Sequence, residues 1–221
     1  MERRELLGRF SYLQGAFPLG QETLLLGAFP ALRPGMKVCD LGCGAGALAL
    51  LLLGREPRLD FTGLELNPGE ADLARRNLVE NGLKGVVMAG DLRETSLALP
   101  AGIFDLVISN PPWFSQGTGA SGGNARMEHA CTLEELCAAA RRLLKNGGHF
   151  ALVHRPERLT DLLTALRTCG LEPKRLRLVQ HGPDTPPSAC LVEGRRQGRA
   201  GLKVLPTLIQ NPPWPGAGSG F

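Results

Sequence analysis

The segment Val38-Cys39-Asp40-Leu41-Gly42-Cys43-Gly44-Ala45-Gly46 limits the fold more than any other. An apolar run gives way to alternate glycines, and an aliphatic helical stretch, 46–53, follows at once. This reads as a strand, a tight turn and a helix whose amino end points back at the turn. Further along, a second apolar run, Phe104-Asp105-Leu106-Val107-Ile108-Ser109, ends in Asn110-Pro111-Pro112-Trp113. Two such strand ends in one α/β sheet open at its carboxyl edge, where ligands bind.

The rest of the chain alternates in the same way. Strand patterns occur at 37–41, 60–64, 85–89, 104–109 and 149–154. Helical patterns occur at 46–53, 68–81, 133–144 and 156–169. Pro68 suits a first helical position, and Gly82 a helix end. Thr132 with Glu135 reads as a capping box. The last two strands, 174–180 and 189–193, are joined by a Pro-rich link too short for a crossover helix, so they pair antiparallel. The expected fold is α/β, a Rossmann-like doubly wound, mostly parallel sheet with a C-terminal antiparallel strand pair. Residues 1–35 form an N-terminal extension with a helix at 22–31 laid at the cofactor mouth, 36–210 the main domain, and 211–221 a flexible tail. Residues 115–124, rich in Gly and Ser, read as a loop beside the site.

At 221 residues the chain suits one domain with a core of normal size. No signal peptide or membrane-length apolar run is evident, so the expected location is cytoplasmic. The six cysteines form no Cys-x-x-Cys pair and have no His cluster beside them. They read as inert thiols, and no metal is expected. The net charge of +4 is unevenly spread. Residues 1–140 carry 12 Lys and Arg against 16 Asp and Glu; residues 141–221 carry 13 against 5. An acidic half joined to a basic one, with Arg175, Arg177, Arg195 and Arg196 prominent in the latter, points to contact with a polyanion. The oligomeric state is open.

Gly42, Gly44 and Gly46 allow backbone to approach a ligand closely, and with Ala47 they also satisfy a dinucleotide fingerprint. Asp40 separates the possibilities. A carboxylate two residues before the first glycine repels a diphosphate but attracts an ammonium or sulfonium group, and S-adenosylmethionine carries both. Glu65, ending the second strand, is placed for ribose hydroxyls. Asp91 is placed for an exocyclic adenine amine, and Leu92 for its ring. Cys43 and Leu66 complete the expected cofactor contacts, with Cys43 packing rather than reacting.

Asn110-Pro111-Pro112-Trp113 suits amine chemistry. An amine conjugated to a ring is a weak nucleophile because its lone pair is delocalised. Two acceptors for its N–H bonds, the Asn110 side-chain oxygen and the Pro111 carbonyl, would pyramidalise it. Pro111 and Pro112 stiffen the backbone that carries these acceptors. Trp113 offers a flat face for the substrate ring, and such stacking is worth roughly 1–3 kcal/mol. Asn211-Pro212-Pro213-Trp214 repeats the motif, but no buried strand leads into it, and it is read as a decoy.

Together the two strand ends resemble the class I S-adenosylmethionine-dependent methyltransferases with an Asn-Pro-Pro-aromatic motif. The segments 17–26, Ala125-Arg126-Met127-Glu128, Leu143–Gly148 and Glu172–Arg177 extend the resemblance to the bacterial tRNA (valine) adenine-N6 methyltransferase family, over about residues 10–210. Trp113 stands where Tyr or Phe is usual, and Glu22 where Asp is expected. The resemblance implies S-adenosylmethionine at Asp40, Gly42, Gly44, Glu65, Asp91 and Asn110, and an adenine amine in RNA, most simply tRNA, as target. Protein glutamine-N5 or rRNA guanine-N2 methylation are alternatives that use the same tetrapeptide. A non-catalytic adenosine-cofactor or RNA-binding protein is the alternative of another class, and intact Asn110 and glycines speak against it.

Overall fold

Lys37–Leu41, the strand that runs into the glycine turn, lies near the middle of the sheet with neighbours on both sides. The computed structural model describes residues 4–16, 18–94, 99–111 and 131–210. The element order is β1 (Arg4–Leu7), β2 (Phe10–Leu13), α1 (Gln21–Ala28), β3 (Lys37–Leu41), α2 (Ala47–Arg55), β4 (Asp60–Glu65), α3 (Pro68–Glu80), β5 (Val86–Ala89) and β6 (Phe104–Ser109). There follow α4 (Leu133–Leu143), β7 (Leu144–His154), α5 (Leu159–Thr168), β8 (Leu171–Gln180), β9 (Ala189–Arg196), β10 (Lys203–Val204) and β11 (Leu208–Ile209).

The sheet runs β10-β8-β9-β7-β6-β3-β4-β5, with β11 also paired to β8. β3 through β7 pair parallel, and β9 lies antiparallel between β7 and β8. The Rossmann-like fold with its antiparallel C-terminal pair is therefore present. From β3 the chain winds outward through β4 and β5, then returns to β6 on the other side. The strand order thus reverses between β3 and β6, the place where open α/β sheets hold ligands.

Side chains alternate between two cores. Val38, Leu106, Ile108, Ala151 and Val153 face α1, α2 and α3. Cys39, Leu41, Val107, Phe150 and Leu152 face α4 and α5. With both faces covered, the central strands read as continuous apolar runs. Each fully buried Leu or Phe contributes about 1.5–3 kcal/mol.

Local signals set the helix ends. The Asn67 side chain accepts from Gly69 and Glu70 N–H, with Pro68 in the first turn of α3. The Thr132–Glu135 capping box is present at α4. Several boundaries differ from the sequence pattern. α1 stops at Ala28 because Phe29 is already its cap and Pro30 follows. A 3-10 turn at Pro156–Arg158 precedes α5. β7 takes in 144–148, and β8 reaches back to Leu171 through Pro173. The register shift between Pro173 and Arg175 accommodates the missing proline N–H.

Before the sheet, β1 and β2 form a hairpin that the alternation did not predict, turning at Gly8-Arg9. Amides from α3 hold it. Asn77, fully buried, accepts from Leu13 N–H at 2.7 Å and donates to Leu13 O at 3.0 Å and Ala45 O at 2.8 Å. α1 lies directly on α2: a Cβ at Gly27 would stand 2.7 Å from Leu51 Cδ1. Among the described residues, no helix is long and apolar enough to cross a membrane.

Candidate active site

Successive strand ends bring Asp40, Glu65, Asp91 and Asn110 to the carboxyl edge of the sheet. In register, Asp40 stands opposite both Gly63 and Ile108. Gly42 and Asn110 are the residues that follow the ends of two adjacent strands, β3 and β6. Ser109 ties the two strand ends together, its buried hydroxyl donating to Leu41 O at 2.7 Å.

The glycine turn folds onto β4, with Gly42 N–H donating to Leu64 O at 2.8 Å. All three glycines have positive φ (74°, 51° and 86° for Gly42, Gly44 and Gly46). Their surroundings differ. Among the described residues, no atom beyond the adjoining residues lies within 4 Å of where a Cβ would stand at Gly42 or Gly44, so open space faces the turn there. At Gly46 a Cβ would meet the Ala74 Cβ at 3.1 Å. Gly46, the residue before α2, thus lets α2 and α3 approach, beside any part it has in the cofactor turn.

Glu65 closes this turn. Its Oε2 accepts from Gly44 N–H at 2.8 Å and its Oε1 from Asn67 N–H at 2.9 Å. Asp40 is completely buried, and neither carboxyl oxygen has a hydrogen-bond partner among the described residues. Burial, and then the charge of Glu65, push its pKa up to about 8. Open glycine backbone beside an orphaned buried acid fits a ligand that brings a cation to the turn. Cys43 is buried against Gly63, and burial raises its thiol pKa, so it packs. Leu66 is 52% exposed just past Glu65.

At the end of β5, Asp91 is paired within its own turn. Arg93 Nε donates to its two oxygens at 3.0 and 2.9 Å, and Arg93 N–H donates at 2.9 Å. That hydrogen bonding holds the Asp91 carboxyl below the usual carboxylate range. Leu92 opens the 3-10 turn Leu92–Glu94 and packs partly on the second core.

Asn110 Nδ2 donates to Thr23 Oγ1 at 2.9 Å, and Pro111 follows, half-buried. Pro112 and Trp113 lie outside the described residues, as do the 115–124 loop, Ala125–Glu128 and the 211–221 tail. The exposed edge strand β11 ends two residues before Asn211. Thr23 and Asn77 were not visible as site residues in the sequence. A single hydroxyl between Glu22 and three leucines, and one amide on a polar helix, carry no spacing signal.

The arginines of the basic half divide by position. Arg195 and Arg196 sit opposite His149 and Leu171, toward the amino edge, away from Asn110. Arg195 Nε donates to Gly147 O at 3.1 Å, and Arg196 donates to Leu144 O. Arg175 pairs with buried Glu193 at 3.1 Å and lies 4.5 Å from the Phe29 ring centroid. Arg155 is exposed at the carboxyl end of β7, next to the strand that carries Asn110.

The fold and these strand ends define a Rossmann-like protein with an open glycine turn after one central strand and an asparagine after its neighbour. Residues 14–168 match the family described as methyltransferase small domain. A tRNA1(Val) (adenine(37)-N6)-methyltransferase of Porphyromonas gingivalis is 34% identical over 191 residues, covering 81% of this chain and 75% of the relative. One from Dickeya chrysanthemi is 28% identical over 195 residues, covering 86% and 77%. Among solved structures, a predicted O-methyltransferase, Atu636 of Agrobacterium tumefaciens, superimposes with a TM-score of 0.70 at 24% identity, covering 86% and 87%. The chain belongs to the methyltransferase small domain family.

Proposed function

We propose that this chain transfers a methyl group from S-adenosylmethionine to the exocyclic amine of an adenine in tRNA. The observation that carries the reading is Asn110. Its amide nitrogen is engaged by Thr23, which leaves the amide oxygen as the acceptor beside the glycine turn. The names of the curated relatives agree with it.

When bound, S-adenosylmethionine supplies an electrophilic methyl group. The chain's own residues do the rest. Gly42 and Gly44 present open backbone to the cofactor, Glu65 takes the ribose hydroxyls while bracing Gly44, and Asp40 offers its carboxyl to the cationic end. Asn110 Oδ1 and the Pro111 carbonyl accept the two N–H bonds of the target amine and turn its lone pair toward the methyl. No strong base is needed, because the nitrogen proton becomes acidic as the N–C bond forms. Trp113 stacks on the adenine. Phosphates are taken by cations of residues 141–221, with Arg155 beside the catalytic strand end. A tRNA substrate places the reaction in the cytoplasm.

The test is transfer of labelled methyl groups to fractionated tRNA, rRNA and protein, followed by nucleoside analysis. N6-methyladenosine in tRNA is the expected product. Label in N2-methylguanosine or in glutamine overturns the adenine assignment, and no methyl transfer to any fraction overturns the activity.

A further inference from the structure

Resting on the reading above, we propose that Thr23, from the helix that precedes the first sheet strand, is a positioning residue that sets the orientation of the Asn110 amide.

A primary amide is nearly symmetric in shape but opposite in chemistry at its two ends. One end donates two hydrogens, and the other accepts. An amine substrate brings donors only, so the wrong end of Asn110 would meet it donor to donor. A hydroxyl can accept from one end or donate to the other, so the direction of its bond decides which end is left for substrate. At Asn110 the Nδ2 end donates to Thr23 Oγ1 at 2.9 Å, which leaves Oδ1 as the end available to the amine.

Thr23 is well suited to this task because it is held in place. It is 9% exposed, and the helix that bears it is fixed from several sides. Gly27 lies against Leu51 of α2. Arg55 Nη2 donates to Pro30 O at 3.0 Å and Nη1 to Gly27 O, so the carboxyl end of α1 is anchored by a guanidinium. Arg175 donates to Phe29 O at 3.3 Å and stacks on its ring. A hydroxyl mounted on so rigid a support pre-orients a catalytic amide without itself touching substrate. The partners are 87 residues apart in sequence, so the docking of α1 on the sheet assembles the pair.

The test compares Thr23→Val, which keeps the side-chain shape without the hydroxyl, with Thr23→Ser, which keeps the hydroxyl. The expected result is a kcat for tRNA methylation about 10-fold lower in Thr23→Val, less than the loss of a group acting directly on the reacting atoms. KM for tRNA and the affinity for S-adenosylhomocysteine should stay within about 2-fold, and Thr23→Ser should recover most of the rate. In an Asn110→Ala background, Thr23→Val should change kcat no further, since the two residues act as one unit. Unchanged kcat in Thr23→Val overturns the inference. Equal impairment of the Ser and Val variants also overturns it, since the loss is then one of packing. Weakened S-adenosylhomocysteine binding with kcat intact overturns it too and makes Thr23 a cofactor contact. Wild-type protein that methylates tRNA while Thr23→Val matches it sinks this inference alone; wild-type protein inactive on tRNA sinks the proposed function and this inference together.

Discussion

Glu65 reaches back from the end of β4 to the glycine turn after β3, its Oε2 accepting from Gly44 N–H at 2.8 Å. One carboxylate thus shapes the turn before any ligand arrives and keeps lone pairs for ribose hydroxyls. Glu65→Ala should weaken S-adenosylhomocysteine binding by roughly 1–3 kcal/mol, the usual loss for a charge-assisted hydrogen bond. Titration calorimetry at one pH checks this. Unaltered affinity would remove Glu65 from the cofactor site and leave it only the bracing of Gly44.

Asp40 should make the ligand-free protein sensitive to pH. Its pKa rises from 3.8 toward about 8 on folding. Between those values the unfolded chain releases a proton that the folded chain keeps. Asp40 therefore lowers stability progressively as pH rises through that window, with no further change above it. Asp40→Asn should flatten the decline in Tm between pH 5 and pH 8, expressed relative to wild type. Ligand should act on the same group. A cation at the turn favours the carboxylate, so S-adenosylmethionine binding at pH 7 should release a proton, seen as a buffer-dependent binding enthalpy that Asp40→Asn abolishes.

Asn110→Ala should lose about 10²–10³ in kcat, the typical cost of one preorganised polar group aimed at a transition state. Cofactor affinity should hold within a few fold, because Gly42, Gly44 and Glu65 are untouched. Asn211→Ala, in the repeated tetrapeptide, should retain full activity. Single-turnover methylation of tRNA by the two variants separates them, and loss of activity in Asn211→Ala alone would move the active site to the second copy.

Arginines of the basic half should differ in what their loss does. Arg155→Gln should weaken tRNA binding and reduce the slope of log K against log salt by about 0.7–0.9, one phosphate contact. Arg175→Ala should instead lower Tm, because buried Glu193 would lose its arginine partner and keep only the His149 ring on its other oxygen. Filter binding at several salt concentrations, run beside thermal unfolding, tells the two effects apart. An unchanged slope in Arg155→Gln would assign that residue to a solvated surface.

The parallel sheet was legible because each βα unit carries its own period and punctuation. Pro68, Gly82, Thr132 and Glu135 act within a few residues of themselves, so their roles survive reading in one dimension. The glycine turn and Asn110 were legible as strand ends for the same reason: each directly follows an apolar run. Less legible were elements whose stability comes from partners distant in the chain. The β1–β2 hairpin has two four-residue strands and is marginal alone; it stands because Asn77 of α3 and Asn81, the residue that caps its carboxyl end, satisfy its backbone. β8 passes through Pro173, against local preference, because pairing with β9 outweighs it. Arg195 and Arg196 count toward a basic half in the sequence, yet the antiparallel course of β9 carries them toward the amino edge of the sheet. What the sequence by itself determined was the sheet, its winding and the residue types at two strand ends, since those follow from local periodicity. Only the tertiary structure decided that Asp40 is sealed from water, that Glu65 grips Gly44 and that Thr23 holds Asn110, because burial and hydrogen bonds across the sheet exist only once the elements are packed.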